Sequence, residues 1–338
     1  MPRLTLSFAS APNERVEPLM DGTIQPEGIE LIPTYSHPSE TFYRQLKFQE
    51  FEVAEMSISS YLIARARGLS DMVAIPVFPS RILFQTWLAV RVDSNVKTPG
   101  DLVGKRIGVA EYQQTAALWI RGILENDFGV SQYKLQWYME RTPELSHGGA
   151  TGFTPPPGIS FTRIPPEKSQ ASMLLDGELD TAMINMNWAR RTSALDRSSR
   201  VLQSPANWSR IKPLFSDTIA EGTRFFKAHG FITPNHTYVI RGDVHKKHPW
   251  VAFNLYKAFL KAKALAQEKL PEQIPSALFF GPDYLAMTRQ ILGDDPFPYG
   301  VAANRPMLDT LIAYSHAQGL TDRKLAVEEL FAQSTLGL

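Results

Sequence analysis

The chain has 338 residues, 43% of them apolar and 20% charged, with 35 Lys and Arg against 34 Asp and Glu. That length favours two domains or one large one, and the apolar share supports a substantial core and argues against disorder. The formal charge of +1 lacks the basic excess of a general nucleic-acid binder, and the absence of cysteine excludes disulfides, thiolate metal sites and cysteine nucleophiles.

Taken in chain order, residues 3–8 form a first expected strand. The opening "MPRLTLSFAS" lacks a basic region followed by about 7–15 apolar residues, and no stretch reaches the ~20 apolar residues of a membrane helix. The expectation is a soluble, cytoplasmic protein with no membrane contact. Turns at Asp21-Gly22 and Pro26-Glu27-Gly28 lead into a strand from Ile29. Ser39 can cap a helix over 40–48. A strand over 51–57 runs into a helix from about Ser59 to Arg67, and strands follow over 72–78 and 86–93. From Thr98 the pattern restarts: a short helix, a strand over 106–110, and a long helix from about Thr115 to Asp127.

Residues 141–168, including "HGGATGFTPPPG", read as a long Gly- and Pro-rich loop, functional or mobile. The stretch 168–191 repeats the helix, tight turn and strand of the opening region, too weakly for a sequence repeat but enough to expect two α/β domains of one make. A strand over 236–244 precedes a helix begun by His248-Pro249, with Trp250, Phe253, Tyr256 and Leu260 on one face. The tail, 300–332, reads as helical.

Strands alternating with helices imply mostly parallel sheets covered on both faces, with ligands at the carboxyl ends of the strands. Three such mouths stand out. Glu55, Ser57, Ser59 and Ser60 form one, Glu111, Tyr112, Gln113 and Thr115 a second, and Asn185, Asn187 and Arg190 a third.

The stretches "DGTIQPEGIEL", "EFEVAEMSISSY", "AIPVFPSR", "DLVGKRIGVAEYQQTAALWIRGIL", "HTYVIRGDVHKKHPWVAFNLYKAF" and "PFPYGVAANRPMLDTLIAYSHAQGL" resemble the 4,5-dihydroxyphthalate decarboxylase family, in order and over nearly the whole chain. The resemblance implies an α/β, two-lobed, periplasmic-binding-protein-like (type 2) architecture with a central cleft and two crossover strands. The crossings are expected near 86–91 and 237–241, with one lobe at 1–88 plus 240–338 and the other at 89–239. It also implies removal of one carboxylate from 4,5-dihydroxyphthalate to give protocatechuate, in aromatic-compound degradation, and it inclines toward a homo-oligomer. The chain departs from the family's pattern at 82–85, at 185–190 and in "GFITPNH".

Loss of carbon dioxide from such a ring needs a base for the phenol proton, an acid for the ring carbon and cations for the carboxylates, but no redox cofactor. Glu55 is the first candidate acid or base; a carboxylate that accepts helix amides is the equal alternative. Glu111 is a second candidate. His236 is the best-placed histidine, against the commoner reading of a structural strand residue. Arg81 suits bidentate carboxylate binding, against a surface salt bridge. Tyr112 could stack on a ring, and Gln113 and Thr115 could donate to a carboxylate, though Thr115 reads more simply as a helix cap. The serines are caps or ligand donors rather than nucleophiles. Asn187, Arg190 and Arg241 complete the expected substrate contacts. His245 and His248 read as a solvated helix entrance, "HGGATG" lacks the Lys of a phosphate loop, and no cluster has metal spacing, so no metal, nucleotide or other cofactor is expected. The rivals are a solute-binding protein for a small carboxylate and another small-molecule enzyme on the same scaffold.

Overall fold

The computed structural model of the chain describes residues 3–144, 146–185 and 197–338. Eleven strands among them form two sheets. The first has the order β2-β1-β3-β11-β4, from β1 (Leu4–Ser10), β2 (Ile29–Tyr35), β3 (Val53–Ser57), β4 (Val73–Ile75) and β11 (His236–Ile240). The second has the order β10-β5-β9-β6-β7-β8, from β5 (Leu88–Arg91), β6 (Arg106–Val109), β7 (Gln136–Met139), β8 (Ser160–Arg163), β9 (Thr181–Met183) and β10 (Ile211–Pro213). β1, β2 and β3 are parallel, as are β6, β7, β8 and β9. β11 runs antiparallel to both β3 and β4, and β5 antiparallel to both β9 and β10. Each sheet is therefore parallel apart from one antiparallel strand, β11 in the first and β5 in the second. All five residues of β3 are buried, as expected of a central strand covered on both faces.

The chain passes between the sheets at 76–87 and 214–235, and these two connections pair with each other. Ile82 N donates to Thr233 O at 2.8 Å and Asn235 N to Ser80 O at 2.9 Å. β5 lies wholly in the second sheet and β11 wholly in the first, so the boundaries expected at 88–89 and 239–240 both fall inside a strand rather than at a crossing. The reason is that β11 returns early enough for all of "HTYVI" to insert between β3 and β4.

Local chemistry explains where other elements differ from expectation. β4 stops at Ile75 because Pro76 has no N–H to continue the ladder. The helix Pro38–Phe48 is capped by His37, whose ring accepts from Ser39 N; Ser39 itself lies in the first turn. The stretch 141–168 is not all loop: it holds a short helix, His147–Thr151, capped by Ser146, and then β8. The tail has one helix, Arg305–Ala317, followed by 3-10 turns. In the helix Trp250–Ala277 the face turned inward carries Val251, Leu255, Ala258, Phe259 and Ala262, whereas Trp250 and Phe253 are exposed. Of the face expected from periodicity, Tyr256 is buried and Leu260 packs against the core, while Trp250 and Phe253 stay exposed.

One apolar core spans both lobes. It joins Met56, Leu62 and Phe78 on the first sheet's side to Leu118, Trp119 and Ile123 of the helix Thr115–Phe128. Gly122 lets the helix Arg305–Ala317 approach closely there: a Cβ at this position would lie 1.9 Å from Tyr314. No helix among the described residues is long and apolar enough to cross a membrane.

Candidate active site

β3 and β11 set the geometry of the first mouth. Their register places His236 opposite Ser57 and Tyr238 opposite Glu55. Residues two apart share a sheet face, so Glu55, Ser57, His236 and Tyr238 all project to one side. Glu55 and His236, 181 residues apart in sequence, meet there: Glu55 Oε1 lies 2.6 Å from His236 Nδ1. The other carboxylate oxygen accepts the Ala11 amide at 2.9 Å, from the turn after β1. The His236 side chain retains 11% exposure against 6% for Glu55. Phe42 meets the imidazole edge-on, with ring centroids 4.7 Å apart. With Nδ1 turned to the carboxylate, Nε2 faces away from it. A carboxylate that orients an imidazole in this way fixes its tautomer and balances the charge it gains when it takes a proton.

The second mouth follows β6. Glu111 is fully buried and has many partners. Arg141 Nη1 lies 2.8 Å from Oε1, Gln113 Nε2 and Ser146 Oγ donate to Oε2, and the amides of His147 and Gly148 donate at 3.1 and 3.4 Å. Burial opposes its ionisation, yet His147, Arg141 and these hydrogen bonds outweigh burial and hold the carboxyl below its ordinary value. Arg141 also donates to Ser39 Oγ at 2.7 Å, which ties the second lobe to the helix Pro38–Phe48. His147 packs edge-on against Phe42, centroids 5.2 Å apart, and burial pushes its pKa down to about 4 against the pull of Glu111. Arg141 and His147 lie in the Gly- and Pro-rich stretch and were not expected at the site. The signal for them was Ser146, a capping residue three positions before Gly149.

The two mouths touch. Ser57 Oγ lies 2.9 Å from Thr115 Oγ1, which also accepts from Ser59 N at 3.2 Å, and Ser59 Oγ donates to Gln113 O at 2.6 Å. Ser57 caps the helix Ile58–Ala66 by accepting from Ser60 N. The Ser60 hydroxyl is buried and has no partner among the described residues. Thr115 is therefore an inter-lobe acceptor; Gln114 holds the capping position of its helix.

Three expected contacts lie elsewhere. Tyr112 points into the second lobe's core, where its hydroxyl donates to Gln132 at 2.7 Å and Arg121 covers its ring. Arg241 pairs with Glu52 and Asp243 at the opposite end of the sheet, because antiparallel β11 ends where β3 begins. Arg81 sits at the paired connections and donates to Ile232 O, Pro298 O and Asn304. Asn187 and Arg190 lie outside the described residues. No group of three or more His, Asp or Glu among the described residues is arranged to hold a metal ion.

The comparisons with known proteins bear on this arrangement. No protein-family model matches the chain. A 4,5-dihydroxyphthalate decarboxylase of Comamonas testosteroni is 32% identical over 338 residues, 99% of this chain and 98% of that one. A 4,5-dihydroxyphthalate decarboxylase of Pseudomonas putida is 35% identical over 183 residues, 54% of this chain and 71% of that one. Among solved structures, the periplasmic aliphatic sulphonate binding protein SsuA of Escherichia coli superposes with a TM-score of 0.54 at 14% identity, over 98% of this chain and 92% of that one. That likeness shows the shared two-lobed fold.

Proposed function

The chain belongs to the 4,5-dihydroxyphthalate decarboxylase family, and from that premise we propose that Glu55 and His236 are the proton-handling pair of its reaction. It is an enzyme, a carboxy-lyase, and its substrate is 4,5-dihydroxyphthalate. The 2.6 Å contact between Glu55 Oε1 and His236 Nδ1 at the mouth of the first sheet carries this reading.

Direct expulsion of carbon dioxide would leave an aryl carbanion. The hydroxyl para to the departing carboxylate offers another course. As the phenol proton leaves, electron density moves into the ring, and a proton joins the carbon that bears the carboxylate. The C–C bond to the carboxylate then breaks, its electron pair restores the aromatic ring and the phenolate, and carbon dioxide departs. Reprotonation of the phenolate gives protocatechuate, so one proton is consumed per turnover. His236 Nε2 is the group that exchanges a proton with the substrate. Glu55 is a positioning residue: it holds the ring through Nδ1, and Ala11 N in turn holds Glu55. Glu111, already engaged with Arg141, Gln113, Ser146 and two amides, organises the 146–148 turn and its junction with Ser39. The lobes we propose are those of the two sheets, joined at 76–87 and 214–235.

The test is direct. Purified, chelator-treated protein is given 4,5-dihydroxyphthalate, and carbon dioxide and protocatechuate are followed together. Stoichiometric appearance of both is expected. Binding of the diacid, seen as a rise in melting temperature, with no product would overturn the reading.

A further inference from the structure

Glu55 holds the His236 imidazole at one atom only. A single contact at Nδ1 fixes a distance but not a plane. The ring can still rock about that contact, and Nε2, on its far side, sweeps with it. A second neighbour removes this freedom. Phe42, in the helix Pro38–Phe48, meets the imidazole with centroids 4.7 Å apart and planes crossed at 75°. Flat rings prefer such edge-to-face crossings, so an aromatic neighbour dictates an angle where an aliphatic one would accept several.

Phe42 is itself braced. It is 3% exposed, and His147 crosses it at the same 75°, centroids 5.2 Å apart. The three rings thus stand in the order His236, Phe42, His147, with one imidazole on the first sheet and the other in the stretch that follows β7 of the second. Burial pushes the His147 pKa down to about 4, so near neutral pH this second imidazole is uncharged and supports Phe42 without repelling a proton on His236. The helix is also tied across the lobes. Ser39 lies three residues before Phe42 and so on the same helix face, and its Oγ accepts from Arg141 Nη2 at 2.7 Å. Arg141 is held in turn by Glu111, at 2.8 Å.

We propose that Phe42 is a positioning residue for the decarboxylation: it fixes the plane of the His236 imidazole, and so the direction of Nε2, while Arg141 and Ser39 hold Phe42 in place from the other lobe. This rests on the proton-handling role of His236 proposed above. The buried pair of Glu111 and Arg141 then serves the reaction at a distance, by seating the ring that seats the imidazole. The effect falls on kcat. Phe42 offers almost no surface to a ligand, so binding survives its loss, whereas a misplacement of about 1 Å in a reacting group costs up to ~10²-fold in rate.

Steady-state kinetics with 4,5-dihydroxyphthalate provide the test. Phe42→Leu should lower kcat by about 10–10²-fold and leave KM nearly unchanged. Phe51→Leu makes the same truncation in the same apolar core, and should lose comparable stability in urea while keeping the wild-type kcat. In the His236→Gln background Phe42→Leu should leave the residual kcat nearly unchanged, because the ring it positions is gone. Ser39→Ala keeps the core intact and should lower kcat by a smaller factor, again without raising KM. A kcat for Phe42→Leu no lower than for Phe51→Leu, or an equal loss with and without His236, would overturn the positioning role. A wild-type kcat in Ser39→Ala would overturn the hold from the other lobe. Full turnover in His236→Gln would instead remove the proton-handling reading, and the proposal with it.

Discussion

Glu55 and Glu111 occupy corresponding places, each near the carboxyl end of a strand where a helix begins, one in each sheet. Their surroundings differ. Glu55 has one imidazole and one amide, and the imidazole keeps some exposed surface. Glu111 has a guanidinium, an amide side chain, a hydroxyl and two backbone amides, and no exposed surface. Two carboxylates in equivalent positions thus acquire different work from their neighbours. The one with spare capacity beside it suits chemistry, and the saturated one suits architecture.

The largest expected effect tests the first half of that contrast. His236→Gln should lower kcat by about 10²–10⁴-fold, with the unfolding midpoint in urea nearly unchanged. Glu55→Gln should lower it less, because the amide oxygen can still accept from Nδ1. Full turnover in Glu55→Gln would break the comparison. Next in size, Glu111→Gln should cost about 3 kcal/mol of folding free energy, since it leaves Arg141 charged, buried and without its carboxylate. A stability loss below about 1 kcal/mol, measured by urea unfolding, would place Glu111 with Glu55 rather than against it.

A smaller effect follows from His147. Its folded pKa, about 4, lies below the ordinary ~6.5, so the unfolded chain binds more protons between those values. Stability should therefore fall as pH drops from about 6.5 toward 4, by up to ~1.4 kcal/mol per pH unit. The depressed carboxyl of Glu111 acts in the same direction at the acid end of that window. Urea unfolding at successive pH values should show the slope, and His147→Gln should flatten it; a slope kept in that variant would assign it to Glu111. The smallest effect concerns the bridge between the mouths. Thr115→Val should cost about 1 kcal/mol, by removing the acceptor of Ser59 N and the partner of Ser57.

Much of the fold was legible because the chain restarts its βα pattern at Thr98 and the helices carry clear caps and periodicity. Glu55 and His236 were legible as single residues, since each stands out in an apolar strand. Their pairing was not, because strand register is set by tertiary contact over 181 residues. Arg241 illustrates the same gap. A residue just after a strand faces the ligand end only if that strand is parallel to its neighbours, and β11 is not. Tyr112 sits at a strand end like Glu111, yet a large ring beside Trp137 gains more from burial in the core. Arg141 and His147 lie where Gly and Pro erase periodicity.

The insertion of β11 between β3 and β4 also bears on how the protein comes into being. The second sheet is drawn from one continuous stretch and can assemble as soon as that stretch is complete. The first cannot. After Glu55 is made, 181 further residues must be added before His236 exists, which at about 5–20 residues per second is roughly 10–40 s of synthesis. Until then β3 and β4 lack the strand that joins them, and the nascent chain exposes two open strand edges at the place where Glu55 and His236 will meet. The pair thus exists only once 236 of the 338 residues have been made.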